Sequence, residues 1–299
     1  AQSIAFHPLM EPACHIVAAR KLYGGSLNQI GLSFRKFGWD ATFVDADDPA
    51  NVAAAITDKT RAVFIESLAN PGRVIQDIAA IAKVAHEAGV PLIVDNTLAT
   101  PMLCRPIEHG ADIVVHSTTK FLNGHGNSIG GVIIDSGRFD WGASDKFPSL
   151  TTPNPSYHGM VLHEALKPVG PIAFIIACRV LGLRDLGPAM APMNAFLTLT
   201  GMETLALRME RHCANALALA QWLQTHPKLD WVSYAALPGD RYYDLAQRYL
   251  GGKGGAVFTF GVKGGYAAGV KLVSSVKLFS HLANIGDTRS LIIHPSSTT

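Results

Sequence analysis

The chain has 299 residues, 48% of them hydrophobic and 16% charged, with a formal net charge of +2. At roughly 150 residues per domain, that length predicts two units, each able to bury a core, and the composition excludes a disordered chain. Near-neutral charge without a lysine/arginine run argues against a nucleic-acid partner, and no apolar stretch approaches the ~20 residues of a membrane helix, so no membrane partner is expected.

The chain starts at Ala1, without a methionine, in a helical-looking AQSIAFHPLM, and stops at HPSSTT just after an apolar run. It therefore reads as an interior piece of a longer protein, truncated at both ends and with no targeting segment of its own. From there to about residue 135, short apolar runs alternate with helix-period segments, which predicts an α/β fold with a mostly parallel sheet between helices. The predicted strands are His15–Ala19, Ala41–Asp45, Ala62–Glu66, Pro91–Asp95, Ile113–His116 and Ile129–Asp135. One helix among them is well marked: Asp77 is an N-cap, Ile78, Ile81, Ala82, Ala85 and Ala88 make an apolar face, and Gly89 before Val90-Pro91 ends it.

The pattern is mostly helical from Ile172 to about His226, interrupted at Pro188 and Pro192. A long helix is expected from near Met193 past Met202, Leu205, Met209 and Leu219, of the kind that bridges domains. A mixed order follows, with strand Trp231–Tyr234, helix Tyr242–Tyr249, strand Ala256–Val262, helix Ala267–Leu278 and strand Leu291–His294. This predicts a large domain over residues 1–195 and a smaller C-terminal α+β domain over 196–299.

In open α/β sheets, ligands gather beyond the carboxyl ends of the strands. Three apolar runs end in polar residues that would share one rim: Glu66-Ser67 with Asn70-Pro71-Gly72 after them, Asp95-Asn96-Thr97, and His116-Ser117-Thr118-Thr119-Lys120. The stretch from Asn96 to Gly110 is fifteen residues, enough for a parallel crossover that puts Asp95 and the HSTTK segment on neighbouring strands.

A carboxylate at the inner end of a buried strand is costly unless paired, and a protonated pyridine nitrogen would pair Asp95. The amine of Lys120 can condense with an aldehyde and later act as a base. Ser117 and Thr119 offer hydroxyls and backbone amides to a phosphate, and Tyr23, heading YGGS, offers a ring to stack on a pyridine face. Singly, these residues read as a surface lysine, helix caps and a packed aromatic; their meeting on one rim favours a pyridoxal phosphate site. His125 has no partner at metal-ligand spacing, so no metal is expected. The four cysteines, Cys14, Cys104, Cys178 and Cys213, form no CxxC pair, which predicts a reducing, cytoplasmic setting, and Cys104 lacks an activating neighbour.

The strings LYGGSLNQI, VFIESLANP, LIVDNTLATP, PIEHGADIVVHSTTKFLNGHG and FSHLANIGDTRSLIIHPSSTT resemble the cystathionine gamma-synthase family of fold-type I pyridoxal-phosphate enzymes of trans-sulfuration, in order over essentially the whole chain. The resemblance implies that Lys120 is the Schiff-base lysine, Asp95 the partner of the ring nitrogen, Ser117 and Thr119 phosphate ligands, and Tyr23 the stacking, catalytically engaged ring. It implies further that Asn70 reaches the cofactor's phenolic oxygen and the substrate, that Thr97 lies near the ring, and that Ser290 lines the substrate site. NGHGNSIGG in place of an NGHTD-like string, YGGSLNQ in place of a YGCTF-like one, and GRFDWG and SYHG point to the sulfhydrylase branch. That branch implies γ-replacement on O-acetyl-L-homoserine by sulfide or a small thiol in a homotetramer with shared active sites. A γ-lyase or a cystathionine synthase is the alternative within the family, and a nucleotide-binding α/β protein the alternative outside it, although no GxGxxG turn follows the first strand. The family's phosphate loop and the tyrosine and arginine lent by a neighbouring subunit would precede Ala1, and the arginine for the substrate carboxylate would follow Thr299.

Overall fold

In the computed structural model, residues 1–69 and 74–298 are described; the predicted site residue Asn70 lies outside them. Every residue of strand β1 (His15–Ala19) is buried, as expected of a strand covered on both faces. Around it lie β2 (Asp40–Val44), β3 (Thr60–Glu66), β6 (Leu92–Asp95), β7 (Ile113–Ser117) and β8 (Gly131–Asp135), in the order β2-β1-β3-β6-β7-β8. The short β4 (Leu68–Ala69) and β5 (Val74–Ile75), which had no signal in the sequence, pair beside the end of β3. The sheet is parallel except for β8, which runs antiparallel to β7. The reason is the connection: the chain turns straight back through Thr118–Gly130, without a crossover that would return it parallel. Each sheet strand lies within two residues of its predicted bounds, which places the three polar strand ends on one rim.

The helix Ile78–Glu87 forms as predicted. Asp77 accepts from the N–H of Ala80 (3.1 Å), Ile78, Ile81, Ala82 and Ala85 are buried, and Gly89 ends it at φ +65°. The expected long helix from Met193 is instead two, Pro192–Met202 and Leu205–Gln224, broken at Glu203-Thr204. The break has a cause at Gly201, whose carbonyl is taken by Arg208 Nη2 (2.6 Å), and whose Cα packs so close that a Cβ would lie 2.0 Å from the Asn123 carbonyl oxygen.

The strands predicted at Ala256–Val262 and Leu291–His294 are shorter than expected, the one predicted at Trp231–Tyr234 starts two residues earlier, and Ser280–His281 is a strand the sequence did not predict. Strand β9 (Leu229–Ser233) pairs antiparallel with β10 (Thr259–Val262), and β11 (Ser280–His281) pairs parallel with β12 (Leu291–Ile292), so the region holds two separate two-stranded sheets. The helix between the two sheets is Gly265–Ser275, ending where Val276 turns extended, and the helix Tyr243–Leu250 connects β9 to β10. A small apolar cluster of Ala216, Ala220, Tyr234, Ala236 and Leu237 stands apart from the main core.

Asp47 fastens this region to the sheet by accepting from Lys21 Nζ (2.6 Å), the Tyr242 hydroxyl (2.6 Å) and Arg241 (2.9 Å). Burial alone would raise its pKa, but these three donors more than offset that and hold it below the usual carboxylate range. Among the described residues, no helix is long and apolar enough to cross a membrane.

Candidate active site

The rim is built by strand register. Glu66 and Asp95 are paired residues at the ends of β3 and β6, and Asp95 is level with Val115, two residues before the end of β7. Asp95 Oδ1 accepts from the backbone N–H (2.9 Å) and the hydroxyl (2.5 Å) of Thr97, and Oδ2 accepts from Gln2 Nε2 (3.3 Å). Burial raises the pKa of this carboxyl, while the bonds from Thr97 and Gln2 favour its charged form. Among the described residues no lysine, arginine or histidine side chain pairs with it; apart from the amino group of Ala1, its partners are the neutral donors of Thr97 and Gln2, at the place where a cationic ring nitrogen would complete it.

Thr97 also accepts from the backbone N–H of Ser117 (2.9 Å), which ties the end of β7 to Asp95. Three residues on, Lys120 lies in the turn between β7 and β8, half-buried, and burial lowers the pKa of its amine. Its Nζ donates to Asn284 Oδ1 at 2.5 Å. The hydroxyl of Thr119 accepts from the N–H of Gly130 (3.1 Å) and donates weakly to its carbonyl (3.3 Å). Its proton can swing to an anion without the first bond being lost.

Tyr23 stands at the head of the helix Gly24–Asn28, its backbone N–H held by Glu66 Oε1 (2.7 Å) and its ring 54% exposed. The ring lies over Gly25, where a Cβ would come within 2.4 Å of its Cε1, so the second glycine of YGGS makes room for the ring. Gln2 closes the circuit by donating to Ser26 in that helix (2.8 Å) as well as to Asp95. Tyr23, Asp95, Thr97, Ser117, Thr119 and Lys120 are thus brought together. Ser290 is exposed and gives its carbonyl to the N–H of Ser280 (2.9 Å); its segment reaches Lys120 through Asn284 instead.

Three residues of this site escaped the sequence. Gln2 and Asn284 are far from the rim in sequence, and Arg208 sits in a helix with no motif. Arg208 donates to the carbonyls of Phe121 (2.7 Å), Leu122 (3.4 Å) and Gly201 and so clamps the turn that carries Lys120. Elsewhere, burial pushes the Cys104 thiol up to about 12, leaving it without thiolate character, and His125 Nδ1 lies 2.7 Å from the carbonyl of Asn123.

The donor set fits pyridoxal phosphate: a buried carboxylate with no cationic side chain paired to it, an exposed ring, hydroxyls that flank a turn, and a desolvated amine. Comparison with known proteins agrees. The family model for Cys/Met metabolism PLP-dependent enzymes matches residues 1–299. The chain is 51% identical over 305 residues to O-acetyl-L-homoserine sulfhydrylase of Leptospira meyeri, covering 100% of this chain and 69% of that protein. It is 48% identical over 298 residues to homocysteine synthase of Schizosaccharomyces pombe, covering 99% and 69%. The crystal structure of a putative O-acetylhomoserine (thiol)-lyase from Campylobacter jejuni, which carries a pyridoxyl-lysine, superposes with a TM-score of 0.94 at 36% identity over 99% of this chain and 70% of that one. On this evidence the chain belongs to the Cys/Met metabolism family of pyridoxal-phosphate-dependent enzymes.

Proposed function

We propose that the chain catalyses γ-replacement on O-acetyl-L-homoserine by sulfide, forming L-homocysteine and acetate. The observation that carries this reading is that adjacent parallel strands bring a buried carboxylate, at the end of β6, and a desolvated lysine amine, in the turn after β7, to one rim. The relatives named above, which match along the whole chain, supply the substrate class.

Bound pyridoxal phosphate supplies an electron sink for the charge left when a proton leaves the substrate's α-carbon. Lys120 would attach it, Asp95 would hold the ring nitrogen's proton, Ser117 and Thr119 would bind the phosphate, and Tyr23 would stack on the ring, while Thr97 orients Asp95. Asn70 and Ser290 are assigned to the substrate side. When not bonded to the cofactor, Lys120 Nζ is a base whose burial lowers its pKa and so favours the neutral form. Nζ takes the α-proton and then serves the β-carbon. Over the cycle the γ C–O bond breaks with its electron pair leaving on acetate, hydrosulfide forms the C–S bond, and Nζ returns its protons to carbon.

We also read residues 1–195 and 196–299 as separate domains, the second carrying a small apolar cluster of its own while Leu205, Tyr242 and Tyr249 join the main core, and the four buried free thiols support a reducing, cytoplasmic setting. A homotetramer is supported by an exposed apolar stripe on the helix Pro192–Met202, where Met193, Phe196 and Leu199 are 64%, 62% and 64% exposed.

The test is the visible absorbance of purified protein before and after borohydride, mapping of the modified lysine, and assay of O-acetylhomoserine with sulfide against methionine and cysteine alone. A band trapped on Lys120 with sulfide-dependent homocysteine formation is expected. A colourless protein, or modification of another lysine, overturns the reading.

A further inference from the structure

Lys120 is the only rim residue whose reactive atom is held by a side chain from the last twenty residues of the described chain, and the contact is specific in geometry. The segment after β11 docks on the lysine's turn through several bonds. Thr288 N–H donates to the carbonyl of Gly124 (3.0 Å), and Gly286 packs against the peptide between Lys120 and Phe121 so closely that a Cβ would lie 2.4 Å from the Phe121 nitrogen. That approach delivers Asn284 Oδ1 to 2.5 Å from Lys120 Nζ. The charged and titratable groups in and around the turn include His125 of the turn itself, Asp95 from β6, His116 from β7, Arg208 and His212 from the helix Leu205–Gln224, and Asp287 from the docking segment. Among the described residues none of them makes an ion pair with Nζ; its partner is a neutral amide.

We propose that Asn284 is a positioning residue for catalysis: its amide oxygen holds the amine of Lys120 whenever that amine is not bonded to the cofactor, and its neutrality lets the amine exchange protons there. This rests on the assignment of Lys120 under the proposed function. A free lysine has four side-chain torsions and would spread over many rotamers, so a single acceptor fixes where its lone pair points in the step that takes the α-proton. A carboxylate in the same place would hold Nζ equally well but would stabilise the ammonium and withhold the base. An amide accepts a hydrogen bond from either protonation state of the amine, which suits a group that must cycle between them.

The test uses the full chain loaded with pyridoxal phosphate and the same chain stripped and reloaded. The first readout is the pH dependence of the rate at which the stripped protein recaptures the cofactor, followed as growth of the visible band, because capture needs the neutral amine of Lys120. Asn284→Asp is expected to move the midpoint of that profile up by about one pH unit or more, and Asn284→Gln, which keeps a neutral acceptor, to leave it in place. The second readout is steady-state turnover: Asn284→Ala is expected to lower kcat at least about tenfold with KM within about threefold, the signature of a lost transition-state contact. A parent-like midpoint in Asn284→Asp, or a parent-like kcat in Asn284→Ala, overturns the proposal. Absence of a visible band on Lys120 in the parent protein would instead overturn the assignment of Lys120, so the two failures are distinct.

Discussion

The hydroxyl of Thr97 donates to Asp95 Oδ1 while accepting from the N–H of Ser117, so one side chain locks the ends of two adjacent strands together. Thr97→Val keeps the shape and removes both bonds. Leaving the Ser117 N–H unsatisfied costs about 1–3 kcal/mol, and the carboxyl loses its largest stabilising partner while keeping the bond from the backbone N–H of residue 97. Cofactor affinity is expected to fall about tenfold, the equivalent of 1.4 kcal/mol. An absorbance titration measures it, and an unchanged Kd would remove Thr97 from the site.

Asp95→Asn separates function from stability. Burial raises the folded pKa of Asp95, so its ionised form is a cost to the folded protein above that pKa. In the stripped protein the amide is therefore expected to raise Tm at neutral pH. In the loaded enzyme it cannot hold the ring nitrogen's proton, and kcat is expected to drop about a hundredfold or more, an effect of about 3 kcal/mol. Calorimetry of the stripped form beside steady-state assays checks both; a variant that loses Tm and keeps kcat contradicts the assignment.

Arg208→Met tests the clamp. The guanidinium is part-buried and its partners are carbonyls and the Thr204 hydroxyl, so the variant strands several acceptors at once. A loss of about 2–4 kcal/mol in urea unfolding is expected. Arg208→Lys recovers little of it, since an ammonium cannot span acceptors that the planar fork reaches together.

Asp135, in β8, gives the pH prediction. Its Oδ1 accepts from Gly137 N–H (3.0 Å), its Oδ2 is buried with no partner among the described residues, and burial together with Asp112 pushes its pKa up to about 6. A carboxyl raised above its unfolded value near 4 supports the fold fully only below about pH 4, and that support is lost as pH rises through about 6. Asp135→Asn is therefore expected to match the parent at pH 4 and to gain about 2 kcal/mol at pH 7.5, after allowance for partial exposure. Chemical unfolding at the two pH values decides it; an equal gain at both would point to packing.

The stripe on the helix Pro192–Met202 predicts assembly. Phe196→Glu with Leu199→Glu places two charges on an apolar face and is expected to dissociate a tetramer to smaller species in sedimentation analysis. An unchanged mass would move the interface elsewhere.

The parallel sheet was legible because its strands are unbroken apolar runs closed by polar residues, and the same runs placed Asp95, Ser117 and Lys120. The helix break at Glu203-Thr204 was not, because apolar periodicity continues across it; what breaks it is Arg208 reaching back to Gly201, a tertiary bond with no local signature. The strands predicted at Ala256–Val262 and Leu291–His294 shrank because β-branched and aromatic runs mark where a strand could form and only pairing decides how long it is. Asn284 and Gln2 were invisible for their distance. Their types are ordinary on any surface, and only the fold brings them to Asp95 and Lys120.

The bond from Lys120 to Asn284 spans 164 residues of chain. A ribosome releasing the protein from its amino end would have exposed Asp95 and the lysine's turn long before residue 284 emerged, and closing so large a loop is entropically slow. The nascent protein thus passes through an interval in which its reactive amine has no fixed direction. Productive capture of the cofactor would then wait on the arrival of the segment that carries Asn284.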